Sequence, residues 1–424
     1  MFTRRLFFLS LAFISMLVLV TPLFAQGSVP TDKAQLGQSI FFDQNLSIQR
    51  NQSCSSCHAP ESGWTGPLAL TNAHGAVYEG SIAGRFGNRK PPSSAYATQS
   101  PILKERDGLW TGGNFWDGRA TGGKLGNPAA DQAQGPFLNP KEQALPDSAC
   151  VVYRVCNGAY SVSFSSVWGA SACAISWPAG VDVTCRSEGT NVNLSPVDRT
   201  ASDSAYNEIA LSIAAYEASP LVNAFTSKFD YVLKGKAQFT PTEMQGFRLF
   251  LGKANCAGCH VVLQASTVNG AGPLFTDYSY DNLGIPKNRE NPVYQGDPGF
   301  VDEGLGGFLE NSGYPADVWA SQAGRVKVPT LRNLNKRPTS EFVKAYGHNG
   351  YFKSLEEIVH FYNTRDVMPT CLPGDTGQGV SCWPPPEHPQ NVNRTELGNL
   401  GLTPAEEAAV VAFLKTLSDG YTPH

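Results

Sequence analysis

The sequence predicts a mainly α-helical chain of two related halves, with long loops and a cysteine-rich insertion in the first half. Three observations predict it. A Cys-x-x-Cys-His motif occurs twice, as Cys54-Ser55-Ser56-Cys57-His58 and Cys256-Ala257-Gly258-Cys259-His260, with the two histidines 202 residues apart. A short segment with an apolar helical face precedes each copy, Gln35 to Phe42 before the first and Gln245 to Phe250 before the second. The composition, with 42 Gly and 30 Pro among 424 residues, favours loops over long regular elements.

Arg4 and Arg5, the apolar run from Leu6 to Val20 and the small-residue pattern Leu23-Phe24-Ala25 have the layout of a secretory signal peptide cut after Ala25. The alternative is a retained anchor, for which the apolar run is short. No later stretch is long and apolar enough to span a bilayer, so the exported chain is expected to be soluble. The first half then covers residues 26–220 and the second 221–424, joined near 217–223. Residues 143–203 differ in character, being rich in Ser, Val, Gly and Cys, and read as an insertion made of short strands or long loops. A helix is expected over 204–219, with Ile209, Ile213 and Tyr216 on one face. In the second half Thr240, Pro241 and Glu243 form a helix start, an N-cap with proline at the first position and a capping box. Ser354 and Glu357 form another, opening a helix whose Leu355, Ile358, Val359 and Tyr362 share a face. Thr403, Pro404 and Glu406 open the last helix, with Val410, Phe413, Leu414 and Leu417 as its stripe. A net charge of -4 argues against a nucleic-acid partner, and 41% hydrophobic residues suffice for real cores.

Two thiols three positions apart, followed at once by histidine, suit covalent attachment of a haem: the thiols bond the two vinyl groups and the imidazole ligates the iron. A four-cysteine zinc site would need the two pairs brought together over about 200 residues and has no use for the histidines; a thioredoxin-like redox pair is the other rival reading. Two copies in an exported chain favour two haem c groups, held by Cys54, Cys57 and His58 and by Cys256, Cys259 and His260, and hence two cytochrome c-like haem domains. The other six cysteines suit disulfides in an oxidising compartment. Neighbour pairing, 150–156, 173–185 and 371–382, is the simplest of the fifteen arrangements.

Beyond the haem motifs, Phe115-Trp116-Asp117-Gly118-Arg119, Gln132-Ala133-Gln134-Gly135-Pro136, Asn139-Pro140-Lys141-Glu142, Val328-Pro329-Thr330-Leu331-Arg332-Asn333 and Gly347-His348-Asn349-Gly350 stand in this order around the two motifs. In this the chain resembles the bacterial di-haem cytochrome c peroxidases and their relative MauG, over nearly all of the exported length except the insertion. The resemblance implies that the first haem reacts with hydrogen peroxide and the second supplies or stores electrons. It places His58 as proximal ligand of the first iron, Gln132 and Glu142 in the distal pocket, Pro136 as a residue that shapes it, and Trp116 between the haems as an electron relay. A carboxylate at Glu142 can move a proton between the two peroxide oxygens, so that the departing one leaves as water.

Ordinary peroxidases of this family use Met as sixth ligand of the second iron. Fourteen residues after His348 this chain has Tyr362, as MauG-like members do, with Met368 as the alternative. A phenolate ligand favours ferric and higher states. His74, sixteen residues after His58, is a candidate sixth ligand of the first iron or a surface histidine. Many relatives bind calcium through an Asn where this chain has Lys90, and residues 336–346 are longer than the usual turn that completes that site. Calcium is therefore doubtful. Three functions follow: a periplasmic peroxidase fed by a small cytochrome c or copper protein, a MauG-like enzyme that oxidises side chains such as Trp on a partner protein, and a non-enzymatic electron carrier.

Overall fold

The computed structural model describes residues 32–262 and 272–423. The expected leader, residues 1–25, lies outside them. The fold is mainly helical. In the first half come α1 (Asp32–Phe41), α2 (Ala69–Ala73), α3 (Pro128–Leu138), α4 (Ser148–Cys156), α5 (Ser161–Trp168), α6 (Val181–Thr184) and α7 (Pro196–Glu217). The second contributes α8 (Lys228–Leu233), α9 (Pro241–Leu251), α10 (Val293–Gly296), α11 (Gly304–Asn311), α12 (Ala316–Gln322), α13 (Leu355–Thr364) and α14 (Pro404–Lys415). Strands are few. β1 (Lys104–Arg106) pairs antiparallel with β2 (Leu109–Thr111), and β3 (Tyr280–Asp281) with β4 (Val326–Lys327). Among the described residues no helix is long and apolar enough to cross a membrane.

The two halves repeat one packing device. α1 crosses α7, and α9 crosses α14. Each crossing is centred on a glycine. A Cβ on Gly37 would lie 1.8 Å from the carbonyl oxygen of Ser212 and 3.0 Å from Tyr216 Cβ; a Cβ on Gly246 would lie 1.8 Å from the carbonyl oxygen of Ala409 and 2.9 Å from Phe413 Cβ. Helices can approach this closely only where one has no side chain. The capping boxes expected at Thr240, Ser354 and Thr403 are formed, each hydroxyl accepting the backbone N–H three residues on. The buried apolar side chains gather in two large clusters. One runs from Leu36 on α1 through Phe137, Val151 and Phe164 to Ile213 and Tyr216 on α7; the other joins Phe250, Phe275, Phe352, Phe361, Val410 and Phe413.

The insertion corrects two expectations. Residues 143–203 hold three helices, α4 to α6, and no strand, and α7 begins at Pro196, eight residues earlier than expected, on an N-cap from Ser195. The disulfides are Cys150–Cys185, Cys156–Cys173 and Cys371–Cys382, so only the last neighbour pair holds. The helix explains the change. Cys150 and Cys156 both lie on α4, and six residues of helix separate them by about 9 Å along the axis. A disulfide needs Cα atoms near 5.5 Å, as the pair 150–185 has at 5.4 Å. Helix formation therefore forbids the 150–156 pair. The buried Arg154 of α4 fastens the insertion to the first half by donating to the carbonyls of Asn45, Ser47 and Cys185.

Candidate functional site

A single cavity system of about 2250 Å³, counting its open mouths, runs through the molecule with mainly apolar walls. His58 lines it, and so do Cys256, Cys259 and His260 from the second motif. A smaller adjoining cavity, about 460 Å³ with its open mouth counted, is lined by Cys54 and Cys57 and again by His58. All four motif cysteines are free thiols. Burial pushes the Cys57, Cys256 and Cys259 thiols up to about 12, and Cys54 higher still, so they are held as thiols. Among the described residues no cluster of ligand atoms joins the two Cys pairs, as a four-cysteine zinc centre would need.

The two histidines are oriented alike. His58 Nδ1 pairs with the carbonyl oxygen of Trp64 at 3.2 Å, and His260 Nδ1 with that of Phe275 at 2.8 Å. Both acceptors sit on residues with left-handed backbone, Trp64 at φ 63° and Phe275 at φ 56°, a strained conformation that turns the carbonyl toward the ring. A carbonyl on Nδ1 fixes the proton there and leaves Nε2 free as the ligand. Burial lowers the His58 imidazole to about 4 and shifts His260 down as well, so both rings are neutral at pH 7. Free thiols, a neutral oriented imidazole and an apolar cavity beside each motif fit a covalently held haem in each half.

Gln132, Pro136 and Glu142 come together on the wall of the smaller cavity, beside Cys54, Cys57 and His58. α3 starts on Asn127 as N-cap with Pro128 at its first position, and carries Gln132. Pro136 lacks the N–H that would close the helix onto Gln132 and leaves one gap in the ladder just before the helix ends at Leu138. The chain then folds back: the N–H of Glu142 bonds the carbonyl of Asn139, and that of Gln143 the carbonyl of Pro136. Glu142 thereby faces the cavity, its Oε1 accepting from Asn139 Nδ2 at 2.6 Å. Burial raises its carboxyl, with Arg119 and Asn139 opposing.

Trp116 is buried on the wall of the large cavity. Its Nε1–H donates to the carbonyl of Lys90 at 2.8 Å, its own carbonyl accepts from the N–H of Lys327 at 2.8 Å, and its ring meets that of His348 edge-on at 6.5 Å. Tyr362, on α13, lines the same cavity as Cys256, Cys259 and His260; burial and these thiols raise its phenol, whose hydroxyl has no hydrogen-bond partner among the described residues. Met368 packs at the edge of the second cluster and does not line the cavity. His74 is not brought to the site. Its side chain is 60% exposed and pairs with Glu290 at 3.3 Å.

The position expected to accept calcium in relatives is filled from within. Lys90 Nζ donates to Pro91 O at 3.0 Å and Thr65 Oγ1 at 3.2 Å. Lys344, from the long 336–346 segment, buries its Nζ against three backbone carbonyls, Ser62 and Asn333 at 2.8 Å and Lys336 at 3.0 Å. Three acceptors require three hydrogens, which only the ammonium has. Burial and the charge of Lys90 pull its pKa down; the carbonyls hold the proton. These residues do not fit a calcium ion. Sequence reading missed Lys344, and it missed Glu217, a buried carboxyl that lines both cavities.

Comparison with known proteins shows the family. The family described as di-haem cytochrome c peroxidase matches residues 31–238. The methylamine utilization protein MauG of Paracoccus denitrificans is 32% identical over 403 residues, covering 93% of this chain and 91% of that protein. The cytochrome c551 peroxidase of Nitrosomonas europaea is 27% identical, over 80% of this chain and 75% of that protein. Among solved structures, the diheme peroxidase BthA of Burkholderia thailandensis aligns with a TM-score of 0.72 and 27% identity, covering 91% of this chain and 86% of that one.

Proposed function

The chain belongs to the di-haem cytochrome c peroxidase family, and on that premise we propose that it is a periplasmic enzyme that takes hydrogen peroxide as oxidant at its first haem and passes electrons there from the second by way of Trp116. Each half is a cytochrome c-like haem domain in this reading. The observation that carries it is the convergence of Gln132, Pro136 and Glu142 on the cavity that holds Cys54, Cys57 and His58. Cys54 and Cys57 hold the first haem with His58 as its ligand, and Cys256 and Cys259 hold the second with His260. When bound, haem supplies an iron that binds peroxide and exchanges electrons.

The protein's share of the chemistry is proton handling and orientation. Glu142, raised by burial, takes a proton from one peroxide oxygen and returns it to the other. Gln132, on the same wall, offers an amide to hold the oxygens in place. Carbonyls at Trp64 and Phe275 keep each imidazole in one tautomer. No calcium enters the account: the Lys90 and Lys344 ammonium groups take the place of a cation. Glu142→Gln should keep both haems and slow the reaction with peroxide by about two to four decades. An unchanged rate in stopped-flow mixing would remove Glu142 from the mechanism.

A second reading is favoured by a separate observation. Tyr362 rather than Met368 lines the cavity near His260. A tyrosine-ligated second haem suits MauG-like oxidation of side chains on a partner protein, with the small cytochrome or copper donor replaced by a protein substrate. A purely electron-carrying cytochrome has no use for Glu142 and Gln132 on an open cavity.

A further inference from the structure

Glu217 is the last residue of α7 and is 3% exposed, yet it lines both the large and the small cavity. Its carboxyl accepts no hydrogen bond and pairs with no cation among the described residues; burial is the sole influence on it and pushes it up to about 8. The repeat shows how unusual this is. The crossings at Gly37 and Gly246 put Ser212 and Tyr216 of α7 in register with Ala409 and Phe413 of α14. One residue on, Glu217 therefore corresponds to Leu414, and one turn back Ile213 corresponds to Val410. Both Val410 and Leu414 line the cavity in the second half. Ile213 keeps the apolar character in the first half, and Glu217 breaks it. A carboxyl set on the apolar wall of a cavity with no protein partner costs stability where leucine would add it, so packing does not explain the residue.

We infer that Glu217 is a third proton-handling group of the first site, resupplying the cavity that Gln132 and Glu142 line. The inference rests on the peroxide reading. Reducing one hydrogen peroxide to two waters consumes two electrons and two protons. The electrons come from the external donor through the second half. Glu142 can shuttle the proton already on peroxide, but the two net protons must cross the protein. Glu217 lines both cavities, whereas Glu142 lines only the small one. The titratable groups that feel its charge are Cys54, from the motif, and Tyr216, on its own helix; Glu142, from the loop after α3, acts on the same Cys54. No charged group of α1 or α3 neutralises it.

The test uses the haem-loaded enzyme with Glu217→Gln and Glu217→Leu, the second installing the residue that the other half already carries. Both should fold and hold two haems by intact mass. Wild type should show the infrared band of a protonated carboxyl near neutral pH that shifts in deuterium oxide, and both variants should lack it. Peroxide turnover should fall about 10²-fold in each, with the pH profile losing one ionisation and Glu217→Asp recovering part of the rate. Unchanged turnover and pH profile in Glu217→Leu would overturn the inference, as would a band that persists there. A wild type that ignores peroxide would instead sink the peroxide reading, while the infrared band would still report the proton on Glu217.

Discussion

Gly246→Ala tests the helix crossing that builds the second haem cavity. The added Cβ would sit 1.8 Å from the carbonyl oxygen of Ala409 and 2.9 Å from Phe413 Cβ. Ordinary contacts lie near 3.5 Å, so α9 and α14 must part by about 1.5 Å, and no rotamer change relieves a clash with backbone. Parting loosens Phe250, Val410 and Phe413, which are at most 1% exposed. Overpacking of this kind costs about 1–3 kcal/mol, with a backbone clash at the upper end, and the better helix propensity of alanine returns about 1 kcal/mol. The net expectation is a loss of about 2 kcal/mol. Denaturant unfolding followed by circular dichroism measures it, with Gly296→Ala as control, since nothing lies within 4 Å of a Cβ there. Gly37→Ala should behave like Gly246→Ala. A stability within about 0.5 kcal/mol of wild type in both would refute the close crossing and the internal repeat drawn from it.

Arg332 and Asp230 form a buried ion pair, at 0% and 2% side-chain exposure, so Arg332→Met should cost about 3–5 kcal/mol in the same assay by stranding the carboxylate. Because Arg332 holds the Asp230 carboxyl below its ordinary value, the pair's contribution should be full at neutral pH and fade as pH falls below about 4, and that dependence should vanish in Arg332→Met. Tyr362→Phe should change the optical and paramagnetic spectra of the second haem and leave the first untouched; unchanged spectra would return the ligand role to another group. Prolonged treatment with a calcium chelator should alter neither haem spectrum nor peroxide rate, whereas Lys344→Gln, which cannot supply three hydrogens to the carbonyls of Ser62, Asn333 and Lys336, should lower stability measurably.

The parts of this fold that are local in sequence were legible. Thr240, Ser354 and Thr403 announce their helices because an N-cap and its partner lie three residues apart, and each is formed as read. The insertion was misread because its many Ser, Val and Cys suggest strands, while Asp147 as N-cap of α4 and Ser195 as N-cap of α7 point to helices. The disulfides followed that error, since the pairing depends on whether Cys150 and Cys156 share a helix. Of the site, the residues that carry a motif were visible: Gln132, Pro136 and Glu142 stand within eleven positions and meet on one wall. Lys344 and Glu217 carry no motif. Lys344 matters through three carbonyls, one of them on Ser62 in the other half of the chain. Glu217 stands out only when α7 and α14 are laid in register by their glycine crossings, so that a carboxyl falls opposite Leu414.

The most direct test of the peroxide reading is an optical titration of the purified diferric protein with one equivalent of hydrogen peroxide, followed into the near infrared. The account predicts reaction without prior reduction and a long-lived near-infrared band, the sign that both haems share the oxidising equivalents, as a Tyr362-ligated second haem allows. No spectral change until the second haem is reduced would contradict the role given to Tyr362, and no change in either state would contradict the peroxide chemistry itself.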